Sequence, residues 1–112
     1  MRVLLLVSLL YCTNAFAYEY CGESLKALDK VEAHYPRIKA RPLHKGRVVL
    51  SFILRDGGVV DNISVLESQS EPSSAYLKYF ERSAKEAIRK TNFSASRIPC
   101  EGEYEVRFDL RN

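Results

Sequence analysis

The groups able to do chemistry in this 112-residue sequence are few: Cys12, Cys21 and Cys100, with His34 and His44. Cys100 with either histidine as a base would make an activated thiol nucleophile. Two thiols some 80 residues apart, with only two histidines, lack the ligand spacing of a zinc site. Cys12 falls in an apolar leader, which leaves Cys21 and Cys100 as an even pair. In an exported chain such a pair reads as a disulfide. Closing a loop of roughly 80 residues is worth about 4.5 kcal/mol in the loop-entropy model. Glu103 and Glu105 form a carboxylate pair, but alternate positions on an exposed sheet face suit ordinary solvated charges. The sequence holds no G-x-S-x-G elbow, phosphate-cradling glycine loop or H-E-x-x-H motif. The expectation is a binding module with no catalytic residues, metal or cofactor.

The leader "MRVLLLVSLLYCTNAFA" has Arg2, an apolar run from Val3 to Leu10, and Ala15-Phe16-Ala17. That is the order of a secretory signal peptide over residues 1–17. A membrane anchor would need about 20 apolar residues, and this run breaks at Cys12-Thr13-Asn14. A lipidated Cys12 would want a small residue before it, where Tyr11 stands. The expected mature chain starts at Tyr18, is exported, and does not span the membrane.

The net charge of +3 is too small to argue for nucleic acid. Charge is uneven, however. From Ala33 to Arg55 there is no acidic residue, while Arg37, Lys39, Arg41, Lys45, Arg47 and Arg55 all occur. This is either a solvated basic surface or a patch for an acidic partner, such as a lipid headgroup or an acidic protein segment.

Five elements must position these groups. "SLKALDKVEA", Ser24 to Ala33, places Leu25, Leu28 and Val31 at helical spacing, with Ser24 as a cap. Tyr35-Pro36 ends it. Arg47 to Leu54 alternates as a strand. Asp56-Gly57-Gly58 supplies the positive φ of a tight hairpin, and Val59 to Leu66 returns without clean alternation. Ala75 to Thr91 is an amphipathic helix, with Tyr76, Leu77, Phe80, Ala84, Ala87 and Ile88 on one stripe. In the last strand Tyr104, Val106, Phe108 and Leu110 alternate with charges, as in an antiparallel sheet covered on one face. The predicted fold is α+β: a three-stranded antiparallel sheet with helices on one face, in the order α-β-β-α-β. The last strand carries no proline and no inward charge to protect an edge.

These elements in series resemble a known family. Tyr35-Pro36, Gly46 opening a strand, Asp56-Gly57-Gly58-Val59, Ile63-x-Val65-x-x-Ser68, the amphipathic helix and Asn92-Phe93 resemble the C-terminal domain of TonB. The resemblance implies a domain at 35–112, behind a helical extension at 18–34, in the periplasm of a Gram-negative envelope. It implies a module that grips an extended segment of an outer-membrane transporter, or another envelope protein, by strand addition. By match, Ala40, Arg41, Leu43 and Lys45 would flank the bound strand. Tyr104, Glu105, Val106, Arg107 and Phe108 would lie on the edge that pairs with it, where a second copy of the chain is also a candidate partner. Basic neighbours such as Arg41 and Lys45 would favour an acidic peptide. Full TonB has a membrane anchor and a proline-rich spacer that this sequence lacks, and a tryptophan is frequent where it reads "KTNF". Cys21 and Cys100 are no part of the usual pattern. The resemblance therefore implies a stand-alone module, possible links to energy-dependent transport included. The alternative is an envelope structural or assembly protein like TolA, whose C-terminal architecture is similar.

Overall fold

A computed structural model describes residues 18–39 and 43–109 of the chain. Strand β1 is Lys26–Ala27, β2 Lys45–Arg55, β3 Val59–Glu71, β4 Phe93–Ser94 and β5 Cys100–Phe108, with helix α1 at Leu77–Arg89 between β3 and β4. The main sheet has the order β3-β2-β5 and is antiparallel throughout. Strands β1 and β4 form a separate two-stranded pair. The α+β class and the three-stranded sheet are as the sequence predicts.

β2 is central, so it is nearly all apolar. Val48, Leu50, Phe52 and Leu54 face α1 with at most 1 % exposure, and Ser51 and Ile53 are buried on the other face. The hairpin to β3 turns through Gly57 and Gly58 at φ 85° and 81°, values that residues with a Cβ avoid. α1 lays Phe80, Ala84, Ala87 and Ile88 on the sheet. Two alanines in that stripe let helix and sheet approach closely. Phe93 then completes an aromatic cluster, 5.0 Å from Phe52 and 5.6 Å from Tyr104 between ring centroids.

β3 explains its own irregular pattern. Its register against β2 shifts between Val49 and Leu50 and again between Ser51 and Ile53. Each shift is a bulge that inserts one residue and flips the facing that follows. Val60, Ile63 and Val65 therefore all reach the core, although their spacing is not strictly two. Ser68 continues on that face, and its Oγ donates to Glu81 Oε2 of α1 at 2.6 Å.

The helix expected over Ser24–Ala33 does not form. Gly22–Ser24 is a single 3-10 turn, Lys26–Ala27 is strand β1, and the chain runs without helix to Lys39. The burial shows why. Leu25, Ala27, Val31, Ala33 and Tyr35 pack against the core, whereas Leu28, a member of the helical stripe, is 62 % exposed. From Leu25 to Tyr35 the half-buried apolar set is odd-numbered, a period of two. Pairing with β4, and the bond from Leu28 N–H to Asn92 O at 2.8 Å, win over local helix propensity. Ser24 does not cap a helix. Its Oγ donates to Cys21 O at 2.8 Å and accepts from Ser96 N–H at 3.0 Å. The extension 18–34 is thus an extended arm, and among the described residues one helix, not two, covers the sheet.

Cys21 and Cys100 are bonded, with Cα atoms 5.1 Å apart and both residues buried. The bridge joins the start of the arm to the start of β5. Farther along, the half-buried Tyr35 meets Phe80 edge-on at 5.6 Å and donates its hydroxyl to His44 O.

Three outcomes follow from this packing. Thiol labelling of unfolded, unreduced mature protein should find neither Cys21 nor Cys100 free, and Cys100→Ser should cost about 2–5 kcal/mol, a melting temperature lower by roughly 10 °C or more. Two labelled thiols would contradict the bridge. Gly46→Ala should also destabilise, because its Cβ would lie 2.5 Å from Phe80 Cγ. That ring is fully buried between Tyr35 and Phe108, so a loss of about 1–3 kcal/mol is expected in denaturant titration. Desolvation raises the Tyr35 phenol above its usual value, and the Asp109 carboxylate adds in the same direction. The stability it brings is complete below the unfolded tyrosine pKa of about 10 and is lost as pH climbs from there through the folded value. Alkaline absorbance titration should show one late-ionising tyrosine that disappears in Tyr35→Phe.

Candidate functional site

A sheet ordered β3-β2-β5 has two outer edges, and they are not equivalent. The β3 edge is bent by its two bulges, a usual way of spoiling an edge for pairing. β5 keeps an unbroken register with β2 from Cys100↔Leu54 to Phe108↔Gly46. Its outer edge is the smoother backbone.

The direction of each β5 backbone group can be derived. The N–H of Glu101 donates to Glu19 O at 2.8 Å, and Glu101 O accepts from Cys21 N–H at 2.8 Å. Both groups of Glu101 thus point away from β2. In an antiparallel strand the two groups of one residue share a side and the side alternates. The outward pairs are therefore at Glu101, Glu103, Glu105 and Arg107. Gly102, Tyr104, Val106 and Phe108 bond toward β2.

Along this edge, the arm pairs only at Glu101, where Tyr20 makes a parallel bridge. Among the described residues, no backbone bond other than those at Glu101 reaches the outward groups of β5. The arm comes back alongside as Val31 and Ala33. With Tyr104, Glu105, Val106 and Arg107 they line a cavity of about 240 Å³ beside the open edge.

The residues expected at the site divide into three sets. Tyr104, Val106 and Phe108 turn their side chains inward. Val106 and Phe108 are buried, and Tyr104 packs on Phe93. They offer backbone only through their neighbours. Glu105 and Arg107 are exposed, carry outward backbone groups, and pair with each other at 3.0 Å. Leu43 is 55 % exposed, and Lys45 is exposed opposite Glu71 at the far end of β2. Lys45 lines a depression of about 250 Å³ with Glu71, Arg107 and Asp109, among others. Ala40 and Arg41 lie outside the described residues. Sequence reasoning missed Glu19, Tyr20 and Cys21 as occupants of the edge, and Val31 and Ala33 as its flank. The odd-numbered apolar alternation of the arm was the available signal.

The basic segment is less free than its composition suggests. Arg47 bonds Glu67 at 3.0 Å and also Glu105, bridging all three strands on the solvent face. Hydrogen bonds to Glu67 first and Glu105 second raise its pKa further. Arg55 pairs with Asp61 at 3.0 Å and lies over the Tyr18 ring. Its guanidinium holds the Asp61 carboxyl below its ordinary value. These contacts leave a less basic face than the bare count of cations implies, which weakens the expectation of an acidic partner.

His44 and Cys100 have structural partners. His44 Nε2 lies 3.1 Å from Ser73 Oγ, and its ring meets Tyr76 edge-on at 4.7 Å. Cys100 is in the disulfide, so it is not a free nucleophile. Among the described residues, no three His, Cys, Asp or Glu side chains converge as a metal site. No described helix is long and apolar enough to cross a membrane.

Among curated proteins, no sequence matches the chain. The solution structure of the Pseudomonas aeruginosa TonB C-terminal domain superposes with a TM-score of 0.58 at 27 % identity, covering 80 % of this chain and 90 % of that one. The family model for the Gram-negative bacterial TonB protein C-terminal region matches residues 31–110, so it takes in β2, β3, α1 and β5 and leaves out the arm before Val31. The chain belongs to the TonB C-terminal family.

Proposed function

We propose that this domain is a protein-binding module of the bacterial envelope which takes an extended segment of a partner onto the outer edge of β5. The observation that carries this is the row of outward backbone groups at Glu103, Glu105 and Arg107, on a strand whose register is unbroken. Such a row gives affinity through main-chain bonds, while alternate side chains of the guest supply specificity. Family membership supports the same reading, since TonB domains work by protein contact, and it favours the periplasm after export of residues 18–112. The partner class it suggests is a segment of an outer-membrane transporter, with a place in energy-dependent transport. The residues offer no catalytic set, and the domain is read as a non-enzyme. A second copy of the chain is the alternative guest: a symmetric antiparallel pairing centred on Glu105 sets Glu105 against its own copy but Glu103 against Arg107 on both sides.

Proline substitution tests the backbone reading. The Glu105 N–H points away from β2, so Glu105→Pro removes a docking donor without removing a ladder bond, as edge strands permit. With a candidate transporter segment as titrant, followed by amide chemical shifts, Glu105→Ala should change the Kd less than threefold. Glu105→Pro should weaken it roughly fivefold or more, one net hydrogen bond, while circular dichroism stays native. Largest shifts on the Asp56–Gly58 turn or on α1, sparing Glu103 to Arg107, would defeat the edge reading.

A further inference from the structure

The arm before Val31 is the described part of this chain that the family model does not cover, and at Tyr20 it lies on the β5 edge. Tyr18–Cys21 runs parallel to β5 and takes both outward groups of Glu101, with two bonds of 2.8 Å. Beyond Cys21 the chain leaves the edge in the Gly22–Ser24 turn, and Leu25 drops into the core. Among the described residues, the first outward pair left open is the next one, at Glu103.

Three contacts keep this short stretch in place. The disulfide joins the residue after Tyr20 to the residue before Glu101. Arg97 Nη1 bonds Glu19 Oε1 at 2.6 Å. Arg55 covers the Tyr18 ring, 5.7 Å from its centroid. A tethered strand competes at an effective concentration in the millimolar range that a free segment does not reach. Tyr20 contributes little burial of its own, being 70 % exposed. Its stretch is held by the tether and by main-chain bonds.

We propose that Tyr18–Cys21 is a resident strand on the partner edge, which closes that edge at Glu101 and confines a guest strand to the outward pairs at Glu103, Glu105 and Arg107. This rests on β5 being the docking edge. It fixes where the guest begins and how long its paired stretch is, and the Val31–Ala33 flank limits the guest side chains that point to that side. A guest needs to offer only about five extended residues, and a longer one meets the arm at the Cys100 end.

The test compares the mature chain, residues 18–112, with a variant beginning at Cys21, which keeps the disulfide and Leu25. Amide hydrogen exchange should find Glu101 protected in the first and roughly fivefold or more faster in the second, the loss of one net hydrogen bond, with Glu103, Glu105 and Arg107 fast in both. Equal exchange at Glu101 would overturn the resident strand. The peptide Thr-Val-Thr-Val-Thr-Val-Thr then serves as an extended probe. In the mature chain its shifts should stop at Glu103. In the shortened chain they should reach Glu101, with a Kd about fivefold lower. Shifts at Glu101 in the mature chain would show that the arm yields to a guest, and would overturn the proposal. No shifts on β5 in either protein would sink the docking edge itself, while the exchange result still decides whether the arm holds Glu101. Should the shortened chain fold poorly, Glu101→Pro in the mature chain removes the same donor, and the readout becomes faster exchange at Cys21.

Discussion

The apolar row Val48, Leu50, Phe52 and Leu54 on β2 is the constraint on which the rest of the domain depends. Four side chains with almost no exposure must be covered from one side, and α1 is the element with a matching stripe. Burying β2 under a helix and between two strands satisfies its backbone on both sides. The cost is passed outward. Among the described residues, β3 keeps its outer edge unpaired and β5 keeps its own unpaired beyond Glu101, and the fold must dispose of both. β3 does so by bulging twice. β5 stays straight, and an edge that stays straight is an edge that can be used.

The arm answers a second need. A domain of this size has a modest core and gains from a staple. The arm lends it Leu25, Ala27, Val31, Ala33 and Tyr35, and the disulfide fixes the arm at its start. Because Cys100 opens β5, the staple that stabilises the fold also places Glu19–Cys21 against the strand that remains open. Stability and site geometry are joined at that bond. The segment before Val31, which the family model leaves out, is therefore joined to the β5 edge at Glu101.

On the solvent face, charge holds register more than it holds energy. Arg47 spans Glu67 and Glu105, so it discriminates the native strand order from a slipped one. Exposed pairs of this kind contribute about 0–1 kcal/mol each. Their larger effect is to spend cations that the sequence presents as a free basic patch. A reader of Arg37 to Arg55 sees six positive charges without an acid among them. The acids that meet Arg47 and Arg55 come from β3 and β5, up to 58 positions away.

The sequence by itself determined the hairpin at Asp56–Gly58, the central strand, the long helix, the last strand and the class of the fold. Each of these is carried by a local signal: paired glycines at a turn, an apolar run broken only by Ser51, a helical stripe, a strict alternation. It pointed to the cysteine pairing as well, since only Cys21 and Cys100 lie beyond the apolar N-terminal run. Tertiary structure decided the arm. Leu25, Leu28 and Val31 satisfy a helical spacing, while Leu25, Ala27, Val31, Ala33 and Tyr35 satisfy a strand spacing, and no local rule ranks them. The choice fell to β4 and the core, which accept the second set and leave Leu28 in water. Tertiary structure also decided which outward groups of β5 are open. That depends on hydrogen bonds between Glu101 and residues some 80 positions earlier, and a long-range pairing of this kind leaves no mark on the types of the residues that make it.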